Sequence, residues 1–279
     1  MKRLNEKKMI LNEDDESLKI VYVRIGRRYD RKDETTCCMP KSRDAIDLKG
    51  RRLVTDALLG QNPDEVLVEE FDIAITRRDI WSLNWSNWLN DNIMNYYFQL
   101  VVTQSSSPIF RIQALSTYFY PKLIENGSSS LSRWMHTPDL FDYHMLLVPI
   151  HTPCHWAVAA IDFTQQTICY YDPLGNSNSQ CLDALRQSNF RSYLISESVN
   201  SFQREMCKSM QLLNMKGTPL QRNECDCGVF ACKFAECAAK HAAFNFSQIM
   251  QNARFDSACF NGTQIALHFE YIIRKQLAI

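Results

Sequence analysis

The chain lacks any apolar run of the ~20 residues needed to cross a bilayer. It also lacks a secretory pattern: Met1-Lys2-Arg3-Leu4-Asn5-Glu6-Lys7-Lys8 has no apolar stretch behind it. Net charge is missing too. Its 31 Lys+Arg balance 31 Asp+Glu, so nothing global favours nucleic acid or a membrane surface as partner. No internal repeat is visible. Cysteine is not scarce, but the paired C-x2-C knuckles of structural zinc are absent. An odd count of 11 cysteines, in a chain of 279 residues without an export signal, favours free thiols in a reducing compartment over a disulfide framework. Cys225, Cys227, Cys232 and Cys237 follow C-x-C-x4-C-x4-C, and on a helix positions 232 and 237 diverge. No metal and no cofactor is therefore expected. Cys37, Cys38, Cys169, Cys181, Cys207 and Cys259 read as ordinary buried or surface thiols.

Two regions are expected. Residues 1–60 hold about half of the 31 Lys+Arg, an acidic run at Glu13-Asp14-Asp15-Glu16, and no Trp. They read as a charged, partly flexible extension with a short strand at Val21–Ile25. Lys2-Arg3, Lys7-Lys8 and the Arg24–Lys32 stretch also fit an import signal or an RNA-contacting patch, although a solvated charged tail is the simpler reading. Residues 61–279 have the apolar content of a globular domain, with hydrophobic residues at 46% over the whole chain. Thr76, followed three residues later by Asp79, resembles a capping box at a helix start. Leu89 to Val102 carries apolar residues at 89, 93, 94, 97, 98 and 101, a helical period. Helices are also expected over Leu182–Glu197 and Val229–Ala243, and strands dominate 145–172. Segregated helices and a mostly antiparallel sheet make the class α+β.

The segment that carries chemistry is Gln221-Arg222-Asn223-Glu224-Cys225-Asp226-Cys227-Gly228-Val229-Phe230. It reads as a loop delivering Cys227 to the first turn of a helix. Outward backbone N–H groups and the helix dipole favour the thiolate there, the nucleophilic form. Gly228 is expected to let the backbone approach a reacting group closely. A nucleophile needs a base, and His155 lies in the apolar, strand-like stretch Cys154–Phe163. The polar Thr164-Gln165-Gln166 turn leads to a second strand, Thr167–Asp172, closed by Pro173-Leu174-Gly175-Asn176. Folding that hairpin between Phe163 and Thr164 sets His155 opposite Asp172. Asp172 would then bond one ring nitrogen of His155 and leave the other for Cys227, the logic of a catalytic triad. Each residue alone also fits an ordinary role: a core cysteine, a satisfied strand histidine, a turn aspartate.

His155-Trp156, Tyr171-Asp172-x-x-Gly175 and Gln221-x-Asn223-x-x-Asp226-Cys227-Gly228-Val229-Phe230 together resemble the SUMO-specific (sentrin-specific) proteases of the Ulp/SENP family. The order His, Asp, Gln, Cys is that family's. The likeness extends to Ile75–Ile80, Trp88-Leu89-Asn90-Asp91, Phe119–Leu123, Arg133-Trp134 and Leu147–His151, and so covers residues 61–279. The resemblance implies a papain-like cysteine protease fold, with a central helix headed by the nucleophile packed on the sheet. It implies Cys227 as nucleophile, His155 as base and acid, Asp172 as its orienter, and Gln221 as an oxyanion donor worth ~3 kcal/mol of barrier. It further implies that Trp88 and Trp156 wall a slot that admits only Gly-Gly, and that Arg77, Asp91, Arg133 and His151 touch the modifier. The implied partners are SUMO and its conjugates, met by a monomer without nucleic acid or membrane. The implied address is the nucleus or cytoplasm. Pro173-Leu174 replaces a common Ser-Met, Asn92 replaces a usual acidic residue, and residues 250–265 match poorly. The same chemistry also fits another ubiquitin-like modifier, and a module that binds SUMO without cutting it is the third reading.

Overall fold

A computed structural model describes residues 56–83, 87–127, 142–194 and 209–242. The expected strand at Val21–Ile25, the stretch 198–206, and Arg133 lie outside the described residues. Two strands, β1 (Val66–Glu70) and β2 (Ile73–Thr76), form an antiparallel hairpin. It reverses at Phe71-Asp72, where φ is 58° and 57°. Tight hairpins take this left-handed turn because it matches strand twist, but Phe-Asp is not its usual sequence, so the hairpin was not legible. Helix α1 (Arg77–Trp81) starts where the capping-box spacing predicts. Thr76 Oγ1 accepts from Asp79 N at 3.3 Å, and Asp79 Oδ2 accepts from Thr76 N at 2.7 Å. Helix α2 (Asp91–Ser105) opens at Asn90, whose Oδ1 accepts from Ile93 N at 3.0 Å. Its apolar stripe of Ile93, Met94, Tyr97, Phe98 and Val101 is buried, as the periodicity requires.

The main sheet has five strands in simple order: β3 (Ile112–Ala114), β4 (Met145–Thr152), β5 (His155–Asp162), β6 (Thr167–Tyr171) and β7 (Gln211–Asn214). Its centre, β4-β5-β6, is antiparallel, and the two edge strands pair in parallel. Pro149 sits beyond the last β4 residue paired with β3, where a missing N–H leaves no ladder bond on that side unmade.

Helices α3 (Phe119–Asn126), α4 (Ser179–Leu194) and α5 (Cys227–Ala239) pack against these strands. Helix α4 begins three residues before the expected Leu182, because Asn178 Oδ1 accepts from Cys181 N at 2.9 Å. Strand β5 is covered on both faces. Trp156, Val158 and Ala160 pack with α2 and α5, whereas Ala157, Ala159 and Ile161 pack with α3 and α4. Two-sided burial explains why β5 reads as a continuous apolar run rather than an alternating one. All 13 residues of α5, which lies on that face with α2, are buried.

The β5–β6 register differs from the sequence expectation. Val158 faces Tyr171 and Asp162 faces Thr167, so the reversal is centred between Thr164 and Gln165, not between Phe163 and Thr164. Asp162 causes this. Its Oδ1 accepts from Thr164 N at 2.9 Å, Thr164 Oγ1 at 2.6 Å and Gln165 N at 2.9 Å, and Gln166 takes φ 55°. The pairing slips by two residues, which keeps every side chain on its face. His155 and Asp172 therefore meet diagonally across the strands instead of directly opposite.

Candidate active site

Strand β5 places His155 at its first residue, and Asp172 follows the last residue of β6. His155 Nε2 lies 2.8 Å from Asp172 Oδ1. Asp172 is 4% exposed, and the same Oδ1 accepts from Leu174 N at 2.7 Å. Gly175 N closes the turn on Asp172 O at 2.9 Å, with Gly175 at φ 74°. The carboxylate is thus fixed before the imidazole meets it. With Nε2 on Asp172, Nδ1 is the nitrogen left for the thiol, and the Cys227 side chain lies near enough to raise the His155 pKa. Burial alone would lower the His155 pKa. The hydrogen bonds to Asp172 and then to Cys227, with the charges behind them, outweigh burial and raise it to about 9.

Helix α5 starts at Cys227, whose side chain is buried. The loop before it is tightly bonded. Gln221 N donates to Pro173 O at 2.9 Å, joining this loop to the turn after Asp172. Gln221 Nε2 donates to Asn223 O at 2.6 Å. Asn223 Oδ1 accepts from Cys225 N at 3.2 Å and from Asp226 N at 3.0 Å, and Asn223 Nδ2 donates to Asp226 Oδ2 at 2.7 Å.

The two tryptophans are tied to this machinery by the segment 88–89. Trp88 is half-exposed and donates through Nε1 to Glu224 O at 3.0 Å. Trp156 is buried and donates through Nε1 to Leu89 O at 2.9 Å. The Leu89 side chain lies on α5: a Cβ at Gly228 would sit 2.9 Å from Leu89 Cβ. This corrects the expectation for Gly228. The missing side chain makes room for Leu89, not for a reacting group.

His151 pairs with Trp156 across β4 and β5, and their rings stack at 4.1 Å. Asp91 is half-buried at the first turn of α2. Arg77 departs from its expected place on the modifier-facing surface. It is 3% exposed, and its fork holds Glu65 Oε2 at 2.6 Å and the Asp56 carbonyl. Glycine at position 60 makes that possible, because a Cβ there would overlap the guanidinium. Among the described residues, no group of three or more potential metal ligands gathers, and no helix is long and apolar enough to cross a membrane. Leu89 and the bonding of Asn223 were missed from sequence. Asn two and three residues ahead of the N–H groups it accepts is a turn pattern that was readable.

Known proteins resemble this chain in sequence and in fold. Over 199 residues the chain is 37% identical to a sentrin-specific protease of Caenorhabditis elegans, covering 70% of this chain and 28% of that protein. It is 34% identical to sentrin-specific protease 2 of Rattus norvegicus, with 33% of that protein covered. The chain therefore spans about a third or less of the length of these relatives. The fold matches the C-terminal Ulp1 protease domain solved in complex with Smt3, the yeast ortholog of SUMO. The TM-score is 0.63 at 24% identity, over 82% of this chain and 93% of that one. Residues 87–260, more than half of the chain, match the C-terminal catalytic domain of the Ulp1 protease family, and the chain belongs to that family.

Proposed function

We propose that this chain is a SUMO-specific cysteine protease that cleaves after the C-terminal Gly-Gly of SUMO, in both precursors and isopeptide conjugates. One observation carries the reading: an imidazole held 2.8 Å from a buried carboxylate, beside a cysteine that heads a buried helix and raises the imidazole's pKa. Relatives named as sentrin-specific proteases, and a matching fold solved with a SUMO ortholog, support SUMO as the modifier.

Cys227 Sγ attacks the glycine carbonyl, and its oxygen takes up negative charge. The Gln221 amide and the Cys227 backbone N–H are the donors for that charge. The His155 imidazolium gives its Nδ1 proton to the leaving amine, leaving a thioester on Cys227. Water then adds to the thioester with His155 as base, and the thiolate leaves. Asp172 holds the ring so that Nδ1 faces sulfur throughout. Trp88 and Trp156 line the approach, where flat indoles suit a tail without side chains and exclude bulkier ones. Asp91, His151 and Arg133 remain candidate contacts for the body of the modifier. The chain acts as an intracellular monomer, with no metal or cofactor.

Cys227→Ala and Cys227→Ser should abolish cleavage of a SUMO–peptide conjugate while the chain stays folded by circular dichroism. Turnover retained in either variant removes Cys227 from its role. Electrophilic probes built on the C-termini of different ubiquitin-like modifiers test the substrate. Labelling of Cys227 by the SUMO probe is expected, and labelling by another probe alone reassigns the modifier.

A further inference from the structure

The Asn223 side chain makes three hydrogen bonds within the loop between Gln221 and Cys227. Asn223 Oδ1 accepts two backbone N–H groups, those of Cys225 and Asp226, at 3.2 Å and 3.0 Å. A carboxamide oxygen has two acceptor sites, so this one is saturated. Asn223 Nδ2 reaches Asp226 Oδ2 at 2.7 Å and ties the side chain to the residue before the nucleophile. The backbone carbonyl of Asn223 accepts from Gln221 Nε2 at 2.6 Å. Gln221 Oε1, by contrast, is buried with no hydrogen-bond partner among the described residues. An unpaired buried amide oxygen is unfavourable, yet turning the amide over would press its oxygen against the Asn223 carbonyl oxygen. That carbonyl therefore dictates which way the amide faces. One N–H goes to Asn223 and the second is left for a developing oxyanion.

We propose that Asn223 is the positioning residue of the oxyanion hole. Its side chain fixes the turn, so that its own carbonyl orients the Gln221 amide while the Cys227 N–H is held beside it. This rests on the protease reading. Asn223 touches no substrate and acts only through Gln221 and the turn, so its effect is confined to steps that build negative charge on the carbonyl oxygen. Alkylation of Cys227 by iodoacetamide forms a C–S bond and expels iodide without an oxyanion, and it does not need that turn.

The test is Asn223→Ala in the full chain, assayed on a fluorogenic SUMO C-terminal amide. The kcat should fall by ~10- to 100-fold, short of the ~10²–10³ typical of deleting a donor outright, with KM nearly unchanged. The iodoacetamide rate at Cys227 should stay near wild type. In a Gln221→Ala background the Asn223→Ala change should cost little more, since the group it positions is gone. Equal losses in kcat and alkylation rate overturn the inference, and so does a full multiplicative loss in the Gln221→Ala background. Should the alanine variant not fold, Asn223→Asp carries the test. It keeps both accepted N–H groups but sets a carboxylate against Asp226, so a lowered kcat with unchanged alkylation supports the role and wild-type kcat overturns it. A wild-type chain that alkylates at Cys227 but turns over no modifier substrate overturns the protease reading, and this inference with it.

Discussion

At the scale of the residue, His155 decides how the site responds to pH. Burial works against its charge, but the bonds to Asp172 and Cys227 win and hold its pKa at about 9. The imidazolium is then the resident form at neutral pH, ready to protonate a leaving amine. Activity should fall on the alkaline side as His155 loses that proton. Asp172→Ala removes the largest contribution raising the pKa, so the alkaline limb of kcat/KM should move down from about 9 toward the ordinary ~6.5. The maximal rate should drop as well, by ~10²-fold, because nothing then aims the ring. A pH–rate profile of the two enzymes checks both effects, and an unmoved alkaline limb contradicts the assignment. Stability should carry the same sign. A histidine whose folded pKa lies above its unfolded one stabilises fully below the unfolded value and loses that contribution as pH rises through the folded one. The window is therefore ~6.5 to about 9. Denaturant unfolding of wild type should weaken across it more than unfolding of Asp172→Ala does.

At the scale of the element, the site is a junction of three pieces that never neighbour one another in sequence. Strand β5 brings the histidine, α5 brings the thiol, and segment 88–89 bonds to both. Leu89 lies against Gly228 with no space for a methyl group. Gly228→Ala must push Leu89 away, and with it the carbonyl that receives Trp156 Nε1. Overpacking of this kind costs ~1–3 kcal/mol. We expect that loss in urea unfolding, together with weaker turnover. The sequence made the elements legible where local chemistry settles them. Thr76 and Asp79 announced α1, apolar period announced α2, and turn residues announced the β5–β6 hairpin. The motif order brought out Cys227, His155, Asp172 and Gln221 together. What stayed hidden depends on contacts distant in the chain or on unusual turns. Phe71-Asp72 turns a hairpin without glycine, Asp162 moves a register through its side chain, and Gly60 makes room for the Arg77 guanidinium between Asp56 and Glu65. None of these leaves a period or a motif.

At the scale of the whole molecule, α5 is the axis of the described fold, packed between α2 and the sheet. A helix buried all round is expected to be apolar, yet this one carries an ion pair. Lys233 Nζ lies 2.5 Å from Glu236 Oε2, and Lys240 Nζ lies 2.8 Å from Glu236 Oε1. Tyr97 of α2 donates to Glu236 Oε2 at 3.2 Å, so the carboxylate links the nucleophile helix to the helix packed against it. Burial would raise the Glu236 pKa, but the Lys233 charge and then that of Lys240 outweigh it and hold it at about 2. A carboxylate depressed in the fold stabilises above its unfolded pKa and loses that contribution as pH falls toward the folded one. Wild type should therefore lose stability between ~4.3 and about 2. Glu236→Gln should destabilise at pH 7 by ~3–5 kcal/mol, because Lys233 then keeps a buried charge without its counter-charge. Replacing both charges of the pair, as Lys233→Met with Glu236→Leu, should recover part of that loss and flatten the acid dependence, since the apolar pair buries no charge while Tyr97 and Lys240 lose the carboxylate they bond. Urea unfolding at pH 7 and pH 3 separates the cases. Wild-type stability in Glu236→Gln would mean that the pair does not hold the axis together, whereas a rescued but inactive double variant would mean that the charges set the pose of α5, and so of Cys227, as well as its stability.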